Sequence, residues 1–448
     1  MRGGENMKPI KSYDMYIQPI TPIHIGTGEH IYPYEYVIKN SILYKIEFSE
    51  FYSQLKEEEQ EELLKYIESN LVKFRETIKK LYSEKYGYIY KANISESLKR
   101  NYNEKLGGAK NKNDESQLEI AEAIKSRDMA YIPGSTIKGS IRSAYIPYKK
   151  GKISYIVKQD TRGRRVVIDG DKYAEGRITD ELMDKHGVQM DAFKMVKVSD
   201  TQPITDSLSI NDVVMYTYKR KLEEFEKGMA VYQETTKSLY GSNTKLIYKG
   251  QIQFFEGYYT KGKLNRNGIN LNITKDDIVS AMREKAKLMI SKEKSFFKNN
   301  GDLKETLMIY EKLEELQKEL GEDEVLMRMG KGAGFDSTTW NLFNEKIGIQ
   351  TVSRNLAREI YPMGWAILSI KEKGTEYKGK IDDIKKEDIK EKLKKEVKEE
   401  IKKRDKKIEK KGKITFGEFL RLNSGLKSFS PDIQVGAFKK YKKDHNLS

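Results

Sequence analysis

The fold class can be read from residues 131–142, which run Tyr-Ile-Pro-Gly-Ser-Thr-Ile-Lys-Gly-Ser-Ile-Arg. A short apolar strand ends where Pro133 and Gly134 interrupt it. Ser135 or Thr136 can then cap a helix, because apolar residues recur downstream at helical spacing. A strand that passes directly into a helix indicates a fold that mixes the two element types.

The flanking segments extend this pattern. Residues 15–21 alternate with period two, as in a strand, and a hairpin is predicted over residues 36–46. Further strands are predicted at residues 195–198, 249–254 and 365–370, and helices at 276–297 and 303–320. We therefore predict an α+β fold in which helices cover one face of antiparallel sheets.

The composition favours a polyanionic partner. The chain has 448 residues, and 84 Lys plus Arg against 68 Asp plus Glu leave a net charge of 84 − 68 = +16. A basic excess of this size suits phosphate binding, although a generally lysine-rich proteome would produce it as well. The length predicts two domains.

Several function classes are disfavoured by what the sequence lacks. It has no cysteine, and its four histidines are too scattered for a metal cluster, so we predict no metal and no cofactor. No apolar run is long enough for a membrane span, and the N-terminus has no signal-peptide core. We expect a soluble, cytoplasmic protein without a membrane partner.

The segment after Pro133 has the features of a phosphate-binding site. Glycines allow the backbone to approach a phosphate, and helix N-termini direct N–H groups at it. Lys138 and Arg142 are four residues apart and so share a helix face. A nucleotide P-loop is excluded because Ser140 stands where that motif needs lysine. The alternative is a capped helix after a turn.

A second glycine cluster spans Gly330–Gly334. A dinucleotide-binding loop would need glycine at position 335, which is Phe335. With Arg328 and Lys331 beside it, the cluster suits backbone contact and base stacking, whereas the alternative is a plain turn.

His24, followed by Gly26, Thr27 and Gly28, invites interpretation as a general base for RNA cleavage. No partner lies next to it in the sequence, so we predict a structural or RNA-contacting histidine. Glu234 is predicted to satisfy backbone donors.

The residues predicted to contact RNA are Gly134, Ser135, Thr136, Lys138, Gly139, Ser140 and Arg142 in the first segment, His24, Gly26, Thr27 and Gly28 in the N-terminal segment, and Arg328, Lys331, Gly332, Gly334 and Phe335 in the third. No catalytic residue is predicted.

Residues 21–28, 131–142 and 330–334 together resemble the RAMP superfamily of CRISPR effector subunits, whose ferredoxin-like (RRM-like) domains carry glycine-rich loops. The length, the late glycine cluster and the strand entry at residues 361–365 are most similar to the fifth-subunit family of the Csm (type III-A) complex.

The resemblance implies two ferredoxin-like RAMP domains with helical insertions, at residues 1–165 and 166–370, and a charged linker and C-terminal tail at residues 371–448. It implies a non-catalytic subunit that binds the 3′ side of the crRNA and caps the backbone filament. Its partners would be the crRNA, through it the target RNA, and the backbone and small subunits. A role in crRNA maturation and antiviral defence is also implied.

The family's backbone subunit cleaves RNA with a loop aspartate, and residues 28–36 contain none, so that activity is not carried over. Three alternatives stay open: an endoribonuclease that trims crRNA with His24 as base, a subunit of the related Cmr complex, and a protein–protein adaptor.

Overall fold

The computed structural model describes residues 10–67, 69–106, 118–150, 157–159, 165–167, 192–219, 222, 224–255, 273–299, 303–338, 342, 351–379, 416, 419–420, 426 and 431–444. Its strands are β1 (Lys11–Pro19), β2 (Gly26–Ile31), β3 (Tyr36–Lys39), β4 (Ile42–Lys45), β5 (Tyr90–Ile94), β6 (Ile120–Ala123), β7 (Lys125–Ser126), β8 (Met129–Ala130), β9 (Val157–Gln159), β10 (Arg165–Val167), β11 (Val196–Val198), β12 (Leu208–Lys219), β13 (Glu224–Thr236), β14 (Tyr248–Phe254), β15 (Glu324–Arg328), β16 (Ser353–Ala357), β17 (Tyr361–Pro362) and β18 (Trp365–Glu372). Its α-helices are α1 (Phe48–Ser53), α2 (Glu57–Ile67), α3 (Leu71–Leu81), α4 (Glu96–Leu106), α5 (Gly134–Lys150), α6 (Leu239–Ser242), α7 (Lys275–Asn299), α8 (Lys304–Glu319), α9 (Phe335–Thr338) and α10 (Pro431–Asp444).

A five-stranded antiparallel sheet has the strand order β11-β14-β1-β18-β15. Side chains alternate along β1, and Met15 and Ile17 face a buried core that also contains Ile137 and Ile141 of α5 and Met282 of α7. The period-two pattern of the sequence thus places one row of apolar side chains under two helices.

A nine-stranded sheet follows the path β2-β6-β13-β12-β5-β4-β3, with β16 paired to β12 and β17 paired to β16. Its end strands β2 and β3 are separated in sequence by only the four residues Tyr32–Glu35. Four residues span at most about 18 Å between their flanking Cα atoms, so the sheet must curl until its two edges approach each other. Leu98 and Tyr102 of α4 fill the space inside the curl.

The predicted α+β class is confirmed: helices pack on curled, largely antiparallel sheets. The hairpin turn also agrees, since Asn40 and Ser41 both have positive φ, at 50° and 64°, as a tight two-residue hairpin turn requires. Helices α7 and α8 cover the two segments with helical periodicity.

Both sheets combine strands from before and after the predicted domain boundary at residue 165. In the five-stranded sheet β1 comes from the N-terminal segment, whereas its neighbours β14 and β18 come from the second half of the chain. Most of the region around the boundary, residues 151–156, 160–164 and 168–191, lies outside the described residues. The division into residues 1–165, 166–370 and 371–448 stays a prediction.

The charged segment predicted as a helix or linker falls largely on residues 380–415, which are outside the described part of the chain. Beyond it, α10 contributes Ala437 and Tyr441 to a buried cluster with Met308 of α8. The C-terminal helix is therefore packed against the body of the protein.

Candidate RNA interface

The fold brings together the three glycine-rich segments that the sequence singled out. The backbone N–H of Lys331 donates a hydrogen bond to the carbonyl oxygen of His24 over 2.8 Å. The Ser140 hydroxyl of α5 donates a hydrogen bond to the carbonyl oxygen of Arg328, just before the second glycine cluster, at 3.3 Å. Segments that are far apart in sequence therefore form one continuous region.

Helix α5 begins at Gly134, so residues 134–139 form its first turns rather than a loop, and Ser135 and Thr136 lie inside the helix. The Gly134 N–H donates to Oδ1 of Asp200 over 2.7 Å. A negative charge already sits at this positive helix end, where a phosphate was expected. A Cβ at position 134 would come within 2.4 Å of the Val198 carbonyl oxygen, so glycine is required for this approach.

One face of α5 is open to solvent. Ser135 and Gly139 are exposed, and Lys138 and Arg142 are half-buried on the same side. An added Cβ at Gly139 would meet nothing within 4 Å. The Arg142 guanidinium lies 5.5 Å from the centre of the ring of Phe193, a buried residue, in a cation–π contact. Both residues lie four positions apart within α5 and therefore share one helix face, as predicted.

The second glycine cluster forms a tight turn with repeated left-handed backbone. Gly330, Gly332 and Gly334 have φ angles of 85°, 82° and 87°, which side chains other than glycine rarely adopt. A Cβ at Gly330 would lie 2.5 Å from the His24 carbonyl oxygen. The turn exposes Lys331, and Phe335 after it is half-buried.

Arg328 lies beneath this turn with a side chain that is 2% exposed. Its Nε donates to the Met363 carbonyl oxygen over 2.8 Å, and its Nη1 is 3.7 Å from Oε1 of Glu293. Oε2 of Glu293 also accepts from Nε of Arg354 at 2.7 Å. The guanidinium of Arg328 therefore contacts protein groups and supports the glycine turn from inside.

A buried lysine joins α5 to the residues that follow the glycine turn. Nζ of Lys285 donates to the Ser143 hydroxyl over 2.7 Å and to the Ser337 carbonyl oxygen over 2.6 Å. The Ser337 hydroxyl in turn donates to the Arg328 carbonyl oxygen at 2.8 Å. These bonds fix the exposed face of α5 relative to Lys331.

His24 is 1% exposed, and its Nδ1 lies 2.7 Å from the carbonyl oxygen of Glu234. Burial lowers the pKa of its imidazole below the ordinary value, and the nearby positive charge of Lys331 acts in the same direction. Gly26 leaves room for the ring, because a Cβ there would lie 2.8 Å from Nε2. The imidazole is therefore enclosed by protein groups and bonded to the backbone of β13.

Glu234 is buried, and its carboxylate is fully engaged. Oε2 accepts from the Ala123 N–H at 2.8 Å and from Nζ of Lys125 at 2.6 Å, while Oε1 accepts from the Tyr90 hydroxyl. The prediction that this carboxylate satisfies a backbone donor is confirmed.

The Gly26–Gly28 segment starts strand β2 and is exposed. Gly26 pairs with Ala123 and His30 with Ala121, so β2 carries two more residues than its partner over this interval. Gly28 has a φ of 100°, and the Thr27 hydroxyl accepts from the Glu29 N–H at 3.1 Å. The surplus residues form a bulge that presents backbone to solvent.

Within the described ranges, no group of three or more His, Cys, Asp or Glu side chains is placed to hold a metal ion. Among the same residues, the helices are too short or too polar to cross a membrane.

Two residues with structural roles at this region were not singled out from the sequence. Asp200 and Glu293 reach partners that are distant along the chain, namely Gly134 in one case and Arg328 and Arg354 in the other. Local sequence patterns do not predict contacts between residues that are this far apart along the chain.

Comparison with known proteins gives a consistent set of matches. The model of the RAMP superfamily matches residues 16–445. A curated protein of Methanocaldococcus jannaschii, described as "CRISPR system Cms protein Csm5", is 22% identical over 330 residues, which cover 71% of this chain and 71% of that protein.

Two solved structures share the fold. A chain of the "Csm-crRNA-target RNA ternary complex in type III-A CRISPR-Cas system" is 16% identical with a TM-score of 0.51, covering 80% of this chain and 100% of that chain. The crystal structure of "T.onnurineus Csm5" is also 16% identical with a TM-score of 0.51, covering 79% of this chain and 99% of that chain.

Proposed function

This chain belongs to the RAMP superfamily, and from this premise we propose that it is an RNA-binding subunit of a type III-A (Csm) CRISPR effector complex. The curated relative and both structural neighbours are described as Csm proteins or part of a Csm complex, which favours Csm over the related Cmr complex. In this proposal the subunit binds the 3′ side of the crRNA, caps the backbone filament and assists crRNA maturation.

The observation that carries the proposal is the adjacency of the exposed face of α5 and the Gly330–Gly334 turn, joined by the bond from Ser140 to Arg328. Lys138, Arg142 and Lys331 then supply positive charge from two sides of one surface. The RNA backbone runs between them, and its phosphates release counterions on binding.

The predicted site residues take two kinds of role in this proposal. Those at the surface contact RNA: Ser135, Thr136, Lys138, Gly139, Arg142, Gly26, Thr27, Gly28, Lys331, Gly332, Gly334 and Phe335. The buried or inward-bonded ones, Gly134, Ser140, His24 and Arg328, hold the surface in shape.

Contacts of this type position RNA without reading its bases, so little sequence preference is expected. The proposal assigns RNA and DNA cleavage to other subunits of the complex. The enclosed ring of His24 supports a non-catalytic role for this chain.

The test is fluorescence anisotropy with single-stranded RNA over a salt series, with a denaturing gel of the same samples. Lys138→Ala/Arg142→Ala should weaken binding and reduce the slope of log K against log salt by about 1.4, because each phosphate contact on a single strand contributes about 0.7. The matched control is Lys80→Ala/Lys318→Ala, which removes two charges from side chains that are 68% and 73% exposed on other helices.

An equal effect of both double variants would show that net charge alone binds RNA, and the proposed surface would be rejected. Binding that is absent or insensitive to salt would favour the adaptor role. Shortened RNA in the gel would favour the endoribonuclease role.

A further inference from the structure

The turn that follows β2 presents two aromatic rings to solvent. It lies at the other end of that strand from Gly26 and Gly28. Residues Tyr32–Glu35, here called the tyrosine turn, connect β2 to β3. The rings of Tyr32 and Tyr34 are stacked, with centroids 5.8 Å apart and planes within 2° of parallel. Tyr32 is 43% exposed and Tyr34 is 44% exposed. The proposed RNA-binding surface makes no use of these rings.

The tyrosine turn is held rigidly by its own hydrogen bonds. The Glu35 N–H donates to the Tyr32 carbonyl oxygen at 2.9 Å, and the Tyr32 N–H donates to Oε2 of Glu35 at 2.7 Å. Nζ of Lys45 donates to Oε1 of Glu35 at 2.5 Å. Pro33 is buried between the two tyrosines and fixes its own φ. A surface ordered in advance loses little conformational entropy when a partner binds.

Among the described residues, two carboxylates lie at the tyrosine turn, although the whole chain is basic: Glu35 within it and Glu119 beside it. Ile31 pairs with Ile120, so the strand register brings Glu119 opposite Tyr32, and Oε2 of Glu119 lies 3.9 Å from Nδ1 of His30. Among the described residues, Lys45 is the cation that bonds to the turn, and its side chain is 14% exposed and paired with Glu35.

This combination discriminates between two classes of partner. The carboxylates repel the phosphates of RNA, whereas they attract Lys and Arg side chains, which also bind over the faces of tyrosine rings. We propose that the tyrosine turn is a docking site for an arginine- or lysine-bearing segment of a partner protein. The proposal rests on the proposed function only in taking that partner to be another subunit of the same effector complex.

The test compares Tyr32→Ala/Tyr34→Ala with wild type in two assays. In the first, the full chain is titrated into a complex assembled from the other purified Csm subunits and crRNA, and its incorporation is measured. In the second, the isolated chain is titrated with single-stranded RNA. We expect apparent affinity for the complex to fall at least about tenfold, as for other aromatic anchors, while affinity for RNA stays within about twofold.

Tyr88→Ala is the matched control, since Tyr88 is also a tyrosine, is 40% exposed and packs edge-on against Tyr44. It should leave incorporation unchanged. Glu119→Lys keeps both tyrosines and should weaken incorporation as well. This charge reversal keeps the docking proposal testable if the tyrosine variant folds poorly.

A loss of RNA affinity in the tyrosine variant, with unchanged incorporation, would assign the turn to RNA and overturn the proposal. Unchanged behaviour in both assays would overturn it too. Failure of the wild-type chain to bind RNA would instead count against the proposed function, because the incorporation assay reports on docking separately.

Discussion

The hydrogen bond from the Lys331 N–H to the His24 carbonyl oxygen is 2.8 Å long and joins the segment between β1 and β2 to the Gly330–Gly334 turn. It places the exposed Lys331 next to the buried His24. The geometry of the proposed RNA surface depends on this contact, so substitutions that disturb it should affect both folding and binding.

Replacing Gly330 by alanine tests the contact directly. The new Cβ would lie 2.5 Å from the His24 carbonyl oxygen, and the residue would keep a φ of 85°. We expect a loss of about 1–3 kcal/mol in the free energy of unfolding and weaker RNA binding, because left-handed backbone is strained for alanine. Urea denaturation and anisotropy measure the two effects.

Gly139→Ala is the control for this substitution. Gly139 lies inside helix α5 with open space around it, so alanine should stabilise the protein by about 0.5–1 kcal/mol. Equal stabilities of the Gly330→Ala variant and the wild type would contradict the described packing of the turn on His24.

Removing the charge of Glu293 should be strongly destabilising. Its carboxylate lies 2.7 Å from Arg354 and 3.7 Å from Arg328, and all three side chains are at most 5% exposed. Glu293→Gln would leave two buried guanidinium groups without their counter-charge, at a cost of about 3–5 kcal/mol in the free energy of unfolding. Chemical denaturation monitored by circular dichroism measures this change in the free energy of unfolding.

Glu315→Gln provides the comparison, because Glu315 is 56% exposed and pairs with Lys312 on the surface of α8. Its cost should stay below about 1 kcal/mol. If both substitutions cost the same, the buried network does not support the glycine turn as described.

Asp200 should stabilise the start of α5 through its bond to the Gly134 N–H. Asp200→Ala removes the acceptor and a favourable charge at the helix N-terminus, and should cost about 1–2 kcal/mol in the free energy of unfolding. Asp200→Asn keeps an acceptor oxygen and should cost less. RNA affinity of the Asn variant should not fall, since a negative charge near the proposed surface is removed; a clear loss would mean that this carboxylate takes part in binding.

His24 should make stability depend on pH. Burial lowers its pKa in the folded state below 6.5, so the unfolded chain binds a proton first as pH falls. Stability is therefore retained above pH 6.5 and lost below it, by up to about 1.4 kcal/mol per pH unit. Urea unfolding at pH 7.5, 6.5 and 5.5 should show this decline in wild type and a smaller one in His24→Gln.

The same variant separates the structural role of His24 from catalysis. If His24 acted as a general base, His24→Gln would abolish an RNA cleavage that wild type performs. We expect no such difference between the two proteins on a denaturing gel.

Local patterns in the sequence were sufficient for several elements. Strand β1 follows from its period-two alternation, the β3–β4 hairpin from its short polar turn, and helices α7 and α8 from their apolar periodicity. These features depend on residues within a few positions of each other, whose backbone preferences act regardless of the rest of the chain.

The sequence by itself also singled out the three segments of the proposed RNA surface: the residues around His24, the start of α5 and the Gly330–Gly334 turn. Only the tertiary structure decided how they are used. Asp200 occupies the helix end that was expected to hold phosphate, and Arg328 is buried against Glu293 rather than exposed. Their partners lie far away along the chain, and the energies of such contacts come from burial and packing, which no local pattern records.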